Sequence, residues 1–176
     1  IPQMVQQKQK VFAYDFAKEN AFSPYWRDIG TRDSYYQANM DLLGKAPQFN
    51  IYDKSWKLRT HHHHYPPLRA YTTGNVSGSI VNSLVASGCV LESAHVENSV
   101  VSNNVMIKDG ASIKHSVIMD GVTIGAGARI QNAIIDKDVV ILLALTSFDG
   151  LVRMNISSFR IPRGEVVFNR RQRSRK

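Results

Sequence analysis

Asp28 is the residue whose surroundings point most clearly to chemistry. It sits in Trp26-Arg27-Asp28-Ile29-Gly30-Thr31, on a short connection leading into a helix-like run. A carboxylate in such a place suits a hard divalent ion, because Mg2+ takes one or two carboxylates and fills its octahedron with phosphate and water oxygens. Capping a helix or pairing with a base is the plainer use of a single aspartate, and both readings stand at this level. Four consecutive histidines, His61 to His64, have ligand chemistry for a divalent metal, yet in their proline-flanked stretch they read as a solvated linker. His95 and His115 carry rings suited to general-base work, but both fall near turns of a repeat, where a histidine is ordinarily surface. Cys89 stands where the repeat elsewhere holds valine or alanine, so it reads as a small core residue rather than a nucleophile.

The elements that must position these residues are of two kinds. Around Asp28 the texture is mixed: aromatics cluster at Tyr14, Phe16, Phe22, Tyr25 and Trp26, and Val11, Ala13 and Asp15 read as one strand. Tyr36, Met40 and Leu43 then mark one face of a helix, with Thr31 or Asp33 placed to cap its start and Gly44 its end. Further on, three aliphatic columns recur. They are Ile80, Val96, Ile113 and Ile130; Val85, Val101, Ile118 and Ile135; Leu91, Ile107, Ile124 and Ile141.

Each column repeats every 16 or 17 residues, with steps of five or six inside one repeat. Three short strands per repeat make a triangular coil, which cannot bury its inward aliphatics alone but builds a continuous core when stacked. Each added coil lengthens the prism by about 4.8 Å, the spacing of hydrogen-bonded strands. Four residues after a column aliphatic stands a second small or apolar residue. On the longer sides this is Cys89, Val105, Ala111, Val122, Ala128 or Val139; on the shorter sides it is Leu84, Val100, Val117 or Ile134. Gly88, Gly110, Gly121, Gly125 and Gly127 fall near the corners, where the backbone must turn sharply. A β-sandwich would need turns every 8 to 12 residues, and these sides are shorter. The expected fold class is mainly β, a left-handed parallel β-helix with a hexapeptide-like repeat, preceded by an α/β remnant of another domain.

The chain divides accordingly into residues 1–58, a linker at 59–74, the β-helix at 75–145, and a capping segment with a basic tail at 146–176. Pro66-Pro67 stiffens the crossing between the first two units. Ile161 to Val167 reads as a final strand covering the last coil, and Arg170 to Lys176 as a disordered end.

Composition narrows the functional classes. The net charge of +8 is concentrated from Gly150 onward, a stretch that carries +7, so the rest of the chain is nearly neutral. That distribution argues against a nucleic-acid-binding protein and for a solvated basic tail. A single cysteine excludes an internal disulfide framework and fits a reducing compartment. The N-terminus has no basic region followed by an apolar stretch, and the longest apolar run, Val139 to Leu145, is too short to span a bilayer. The expectation is a cytoplasmic protein with no membrane segment.

A family resemblance now becomes specific. Tyr25-Trp26-Arg27-Asp28-Ile29-Gly30-Thr31, Ala38-Asn39-Met40-Asp41-Leu42, Tyr52-Asp53 with Trp56, and Pro66-Pro67 resemble the path by which bacterial glucose-1-phosphate adenylyltransferases leave their catalytic domain. Asn82-Ser83-Leu84-Val85 and Gly88-Cys89-Val90 are similar to the way their β-helix begins. The resemblance runs from residue 1 to about residue 141 and makes residues 1–58 the C-terminal end of a nucleotidyltransferase domain. It implies ATP and glucose 1-phosphate as substrates of the full-length protein, ADP-glucose and pyrophosphate as products, a role in glycogen or starch synthesis, Mg2+ as cofactor, and a homo-oligomer, a tetramer. It also implies that Asp28 is one of two aspartates holding the Mg2+ and that Trp26 lies beside the sugar.

The departures matter equally. The family's Gly-Gly-x-Gly-x-Arg loop, its other metal-binding aspartate and its Glu-Lys pair for glucose 1-phosphate do not occur here. The catalytic set is therefore incomplete, and the chain by itself is expected to be inactive, supplying the β-helix for oligomerisation and allosteric regulation. Activator-responsive members carry arginines on a β-helix loop where this chain has Asn103 and Asn104. Either regulation differs, or the correspondence shifts at that corner. Two other readings are a non-catalytic regulatory or oligomerisation subunit, and a β-helix acyltransferase using acetyl-CoA with His95 or His115 as base. Against the last, the repeat has no long inserted loop to close over a pantetheine arm.

Overall fold

The computed structural model describes residues 1–15, 25–54, 60, 61, 63–75, 77–141, 148 and 149. Among the described residues two helices come first, α1 (Pro2–Gln6) and α2 (Arg32–Met40). Fourteen short strands follow among the described residues, from β1 (Arg69–Tyr71) to β14 (Phe148–Asp149). They form three parallel sheets in which neighbours are one coil apart. Sheet A has the order β1, β4 (Val90–Glu92), β7 (Met106–Ile107), β10 (Thr123–Ile124), β13 (Val140–Ile141); sheet C runs β14, β11 (Arg129–Gln131), β8 (Ser112–Lys114), β5 (His95–Glu97), β2 (Ser79–Val81); and sheet D runs β12 (Ile134–Ile135), β9 (Val117–Ile118), β6 (Val100–Val101), β3 (Leu84–Val85).

The register reproduces the sequence columns residue for residue. Ile80 pairs with Val96, Val96 with Ile113, and Ile113 with Ile130. Val85, Val101, Ile118 and Ile135 align in sheet D, and Leu91, Ile107, Ile124 and Ile141 in sheet A. Ile107, Ile113, Ile118 and Ile124 are fully enclosed. The ladder also extends into the stretch assigned to the linker: Ala70 of β1 pairs with Leu91, and Pro66 O accepts a hydrogen bond from Gly88 N at 2.7 Å. The Pro66-Pro67 crossing is thus stitched to a solenoid corner.

The corners obey a rule of their own. Asn82, Asn98, His115 and Asn132 occupy one edge of the prism with φ between 45° and 51°. Gly88, Asn104, Gly121 and Asp138 occupy a second, and Ser93, Gly110 and Gly127 a third. The left-handed region is least costly for glycine and next for asparagine, aspartate and histidine, which is why these types recur there.

The first of these edges is held by a line of serines. Ser99 Oγ donates to Glu97 O at 2.7 Å and accepts from Ser116 N at 3.1 Å. Ser116 Oγ donates to Lys114 O at 2.6 Å and accepts from Ala133 N at 3.2 Å, and Ser83 Oγ accepts from Ser99 N at 3.1 Å. Ser99 and Ser116 are wholly buried, and each hydroxyl satisfies a backbone group that a corner would otherwise strand.

These serines revise one detail of the pattern. On the shorter sides the inward small residue is Ser83, Ser99, Ser116 or Ala133, and Leu84, Val100, Val117 and Ile134 form a separate aligned row, outside the main core cluster. A strand alternates its faces, so the residue beside an inward aliphatic points outward.

Before the solenoid, α2 starts where expected. Thr31 Oγ1 accepts from Ser34 N at 3.1 Å while Ser34 Oγ accepts from Thr31 N at 3.0 Å, a capping box. The helix ends at Met40, short of Leu43, and Gly44 follows with φ +95°. The strand expected at Val11 to Asp15 is not formed. An extended segment needs a neighbouring strand, and no strand precedes β1 among the described residues. The expected capping strand and the basic tail lie outside the described residues.

Candidate functional site

The Asp28 connection is braced by residues just ahead of Asp28. Tyr25 stacks on Phe49 with ring centroids 5.6 Å apart, and its hydroxyl donates to Asp41 Oδ2 at 3.0 Å. The Arg27 guanidinium meets the same carboxylate oxygen at 2.5 Å. Hydrogen bonding to Tyr25 and then to Asp41 holds the Arg27 pKa above its ordinary value, with partial desolvation opposing. Tyr25 and Arg27 therefore tie the connection to the far end of α2.

Next to those anchors the two predicted site residues face solvent. Trp26 is 79% exposed and Asp28 is exposed. Asp28 Oδ1 accepts from Gly30 N at 3.0 Å, closing a tight turn just before the Thr31 cap. A Cβ added at Gly30 would lie 3.3 Å from that oxygen, so the glycine leaves room for the carboxylate. Asp28 thus offers hard oxygen donors to a divalent ion, which fits one ligand of a Mg2+ site. Among the described residues no three His, Cys, Asp or Glu side chains gather to hold a metal. Any further ligands would have to come from phosphate, water or another part of the protein.

The other candidates are placed as follows. Described members of the histidine run, His61, His63 and His64, are exposed, with the His61 and His63 rings 4.6 Å apart. Cys89 is 1% exposed, its Sγ donates to Ser102 O at 3.0 Å, and burial pushes its pKa up, all of which fit a core thiol. His95 Nδ1 lies 3.0 Å from Ser79 Oγ in sheet C. His115 forms a corner, and its carbonyl is engaged by Tyr36. Asn103 and Asn104 mark another corner, where Asn103 N donates to Asp120 Oδ1 at 3.0 Å.

Sequence reasoning missed the contact between the two units. Tyr36 Oη of α2 donates to the His115 carbonyl at 2.8 Å, and burial raises the Tyr36 pKa. A cleft of about 330 Å3 opens beside it, lined by Asp33, Tyr36, Gln37 and Asn132. No residue type signals this contact in the sequence, because the acceptor is a backbone carbonyl.

Comparison with known proteins bears on the whole arrangement. Residues 66–146 match the family described as GlmU-like, C-terminal hexapeptide, in keeping with a left-handed parallel β-helix. Glucose-1-phosphate adenylyltransferase 2 of Vibrio cholerae is 45% identical over 106 residues, covering 57% of this chain and 26% of the relative. Glucose-1-phosphate adenylyltransferases of Koribacter versatilis and Methylococcus capsulatus are each 40% identical over 109 residues, covering 61% of this chain and 26% of each relative. The chain spans about a quarter of the length of these relatives. No helix among the described residues is long and apolar enough to cross a membrane. The chain is thus similar, over somewhat more than half of its length, to glucose-1-phosphate adenylyltransferases, and it carries a hexapeptide solenoid of its own.

Proposed function

We propose that this chain forms part of a glucose-1-phosphate adenylyltransferase, which joins ATP and glucose 1-phosphate into ADP-glucose and pyrophosphate for glycogen or starch synthesis. The observation that carries the reading is identity of 40–45% to enzymes of that name, in a chain whose helix α2, which follows the Asp28 connection, is hydrogen-bonded to the solenoid. In this reading the sugar phosphate oxygen attacks the α-phosphorus of ATP and pyrophosphate leaves. Catalysis then rests on positioning and on neutralising phosphate charge. Asp28 would contribute one carboxylate to a bound Mg2+, whose chemistry is to offset charge on the phosphates. Trp26 offers an exposed aromatic face beside it for the sugar. The solenoid serves assembly, as a homotetramer of cytoplasmic subunits, and carries effector control.

A chimera tests this directly. In it, the stretch of the Vibrio cholerae enzyme that aligns with this chain is replaced by this chain's own residues. It is expected to release pyrophosphate from ATP only when glucose 1-phosphate and Mg2+ are present. Asp28→Asn in that chimera is expected to lower the rate by roughly 10²- to 10³-fold, since a catalytic metal supplies several kcal/mol. The 176-residue chain assayed alone is expected to show no rate, because one carboxylate cannot assemble the site. A folded but inactive chimera, or one indifferent to Asp28→Asn, sinks the reading.

A further inference from the structure

Helix α2 is too short to stand by itself. It has nine residues, and an isolated helix of that length is marginal in water. Its start is closed by the Thr31 and Ser34 box and its end by the Asp41 contacts with Tyr25 and Arg27, yet all of these lie within the same local segment. The Tyr36 hydrogen bond is different, since it reaches 79 positions along the chain to the His115 carbonyl.

The acceptor is well chosen for an anchor. His115 sits at φ 45° on the asparagine edge, with the Ser112–Lys114 strand on one side and Val117–Ile118 on the other. Both strands are paired to the coils before and behind, so the carbonyl is fixed by two ladders. The next corner up, Asn132, lines the same cleft as Asp33, Tyr36 and Gln37 of the helix. The Leu84 row of sheet D changes in step. Leu84 and Val100 are half-buried, whereas Val117 and Ile134, in the coils of His115 and Asn132, are 1% and 8% exposed.

We infer that the His115 corner is the seat on which α2 is held, and that Tyr36 is thereby a positioning residue for the Asp28 connection. Asp28 lies three residues ahead of the Thr31 cap, so a tilt of α2 on its seat moves the carboxylate with it. Misplacing a reacting group by about 1 Å can cost about 10²-fold in rate. The seat itself is independent of the adenylyltransferase reading, whereas the catalytic consequence rests on that reading.

Tyr36→Phe keeps the ring and removes the hydroxyl. In the full chain, hydrogen exchange followed by mass spectrometry is expected to show amides of residues 32–41 exchanging about five- to tenfold faster, the effect of one ordinary hydrogen bond. Amides of the sheet C and sheet D strands should be unchanged, and Tyr35→Phe on the same helix should leave α2 at the parent rate. In the active chimera, Tyr36→Phe is expected to lower kcat and to raise the Mg2+ concentration at half-maximal rate, each by about tenfold, with KM for ATP unmoved. Unaltered exchange across α2 overturns the seat. Faster exchange with unaltered Mg2+ dependence overturns the positioning role and leaves only a structural one. A parent chimera without activity overturns the adenylyltransferase reading and the positioning role together, and exchange then decides the seat alone.

Discussion

At the scale of single residues, the molecule separates side chains that hold backbone from side chains that face solvent. Ser99 and Ser116 belong to the first kind. Each hydroxyl donates to a carbonyl two residues back and accepts from an amide one coil on, so the same small side chain both turns the corner and bonds successive coils. Ser99→Ala strands Ser116 N in the interior. It is expected to destabilise the chain by about 1–3 kcal/mol in urea melts, the cost of an unsatisfied buried group. A loss near zero would show that water reaches the corner. Trp26 faces solvent, and Asp28 is exposed while also closing the turn to Gly30 N, an exposure that the proposed sugar and Mg2+ roles require. That Asp28 stands on a short connection just ahead of a helix was legible in the sequence, because the capping residues and the helix face follow it within a few positions. Tyr36 was not legible as a contact, since its partner is a backbone carbonyl and a carbonyl carries no residue identity.

At the scale of elements, local rules account for α2 and the strands to different degrees. The start of α2 follows from Thr31 and Ser34, which satisfy each other's neighbouring amides without help from the rest of the chain. Thr31→Ala removes half of that box and is expected to cost about 1 kcal/mol of helix stability. The readout is exchange at Ser34 and Tyr35, which should quicken about fivefold while the solenoid strands stay protected. Strands of two or three residues, by contrast, have no stability of their own and exist only as rungs. Val11 to Asp15 shows the other side of this rule, for it has strand-like residues and forms no strand without a ladder to join. The reverse happens at Arg69–Tyr71, where residues outside the clear repeat are drawn into sheet A because the edge of β4 was open to pairing.

At the scale of the whole molecule, charge on the outer faces follows the stacking. Glu97 and Lys114 meet at 2.8 Å across sheet C, and Glu92 and Lys108 at 3.1 Å across sheet A. The Tyr71 hydroxyl and then Lys108 hold the Glu92 carboxyl below its ordinary value, and Lys114 does the same for Glu97. A lowered folded pKa adds stability that is complete above the unfolded value, here 4.5, and is lost as pH falls through the folded value. The thermal midpoint is therefore expected to hold level down to about pH 5 and to fall on further acidification. Replacing Lys108 and Lys114 together by Ala should flatten part of that fall, a modest part because the pairs are exposed. An equal acid response in that double variant would assign it to other carboxylates. By itself the sequence determined the triangular coil, its three columns and their pairing order, because inward aliphatics recurring every 16 or 17 residues can be buried in no other register. It placed the start of α2 within two residues, at Thr31 or Asp33, and the structure selects Thr31 through contacts three residues apart. Only the tertiary structure decided that serine rather than leucine or valine points inward on the shorter sides, that Pro66 is stitched to the Gly88 corner, and that α2 rests on His115. Those outcomes depend on which backbone groups lie across a coil or a unit boundary, and periodicity along one chain carries no record of that.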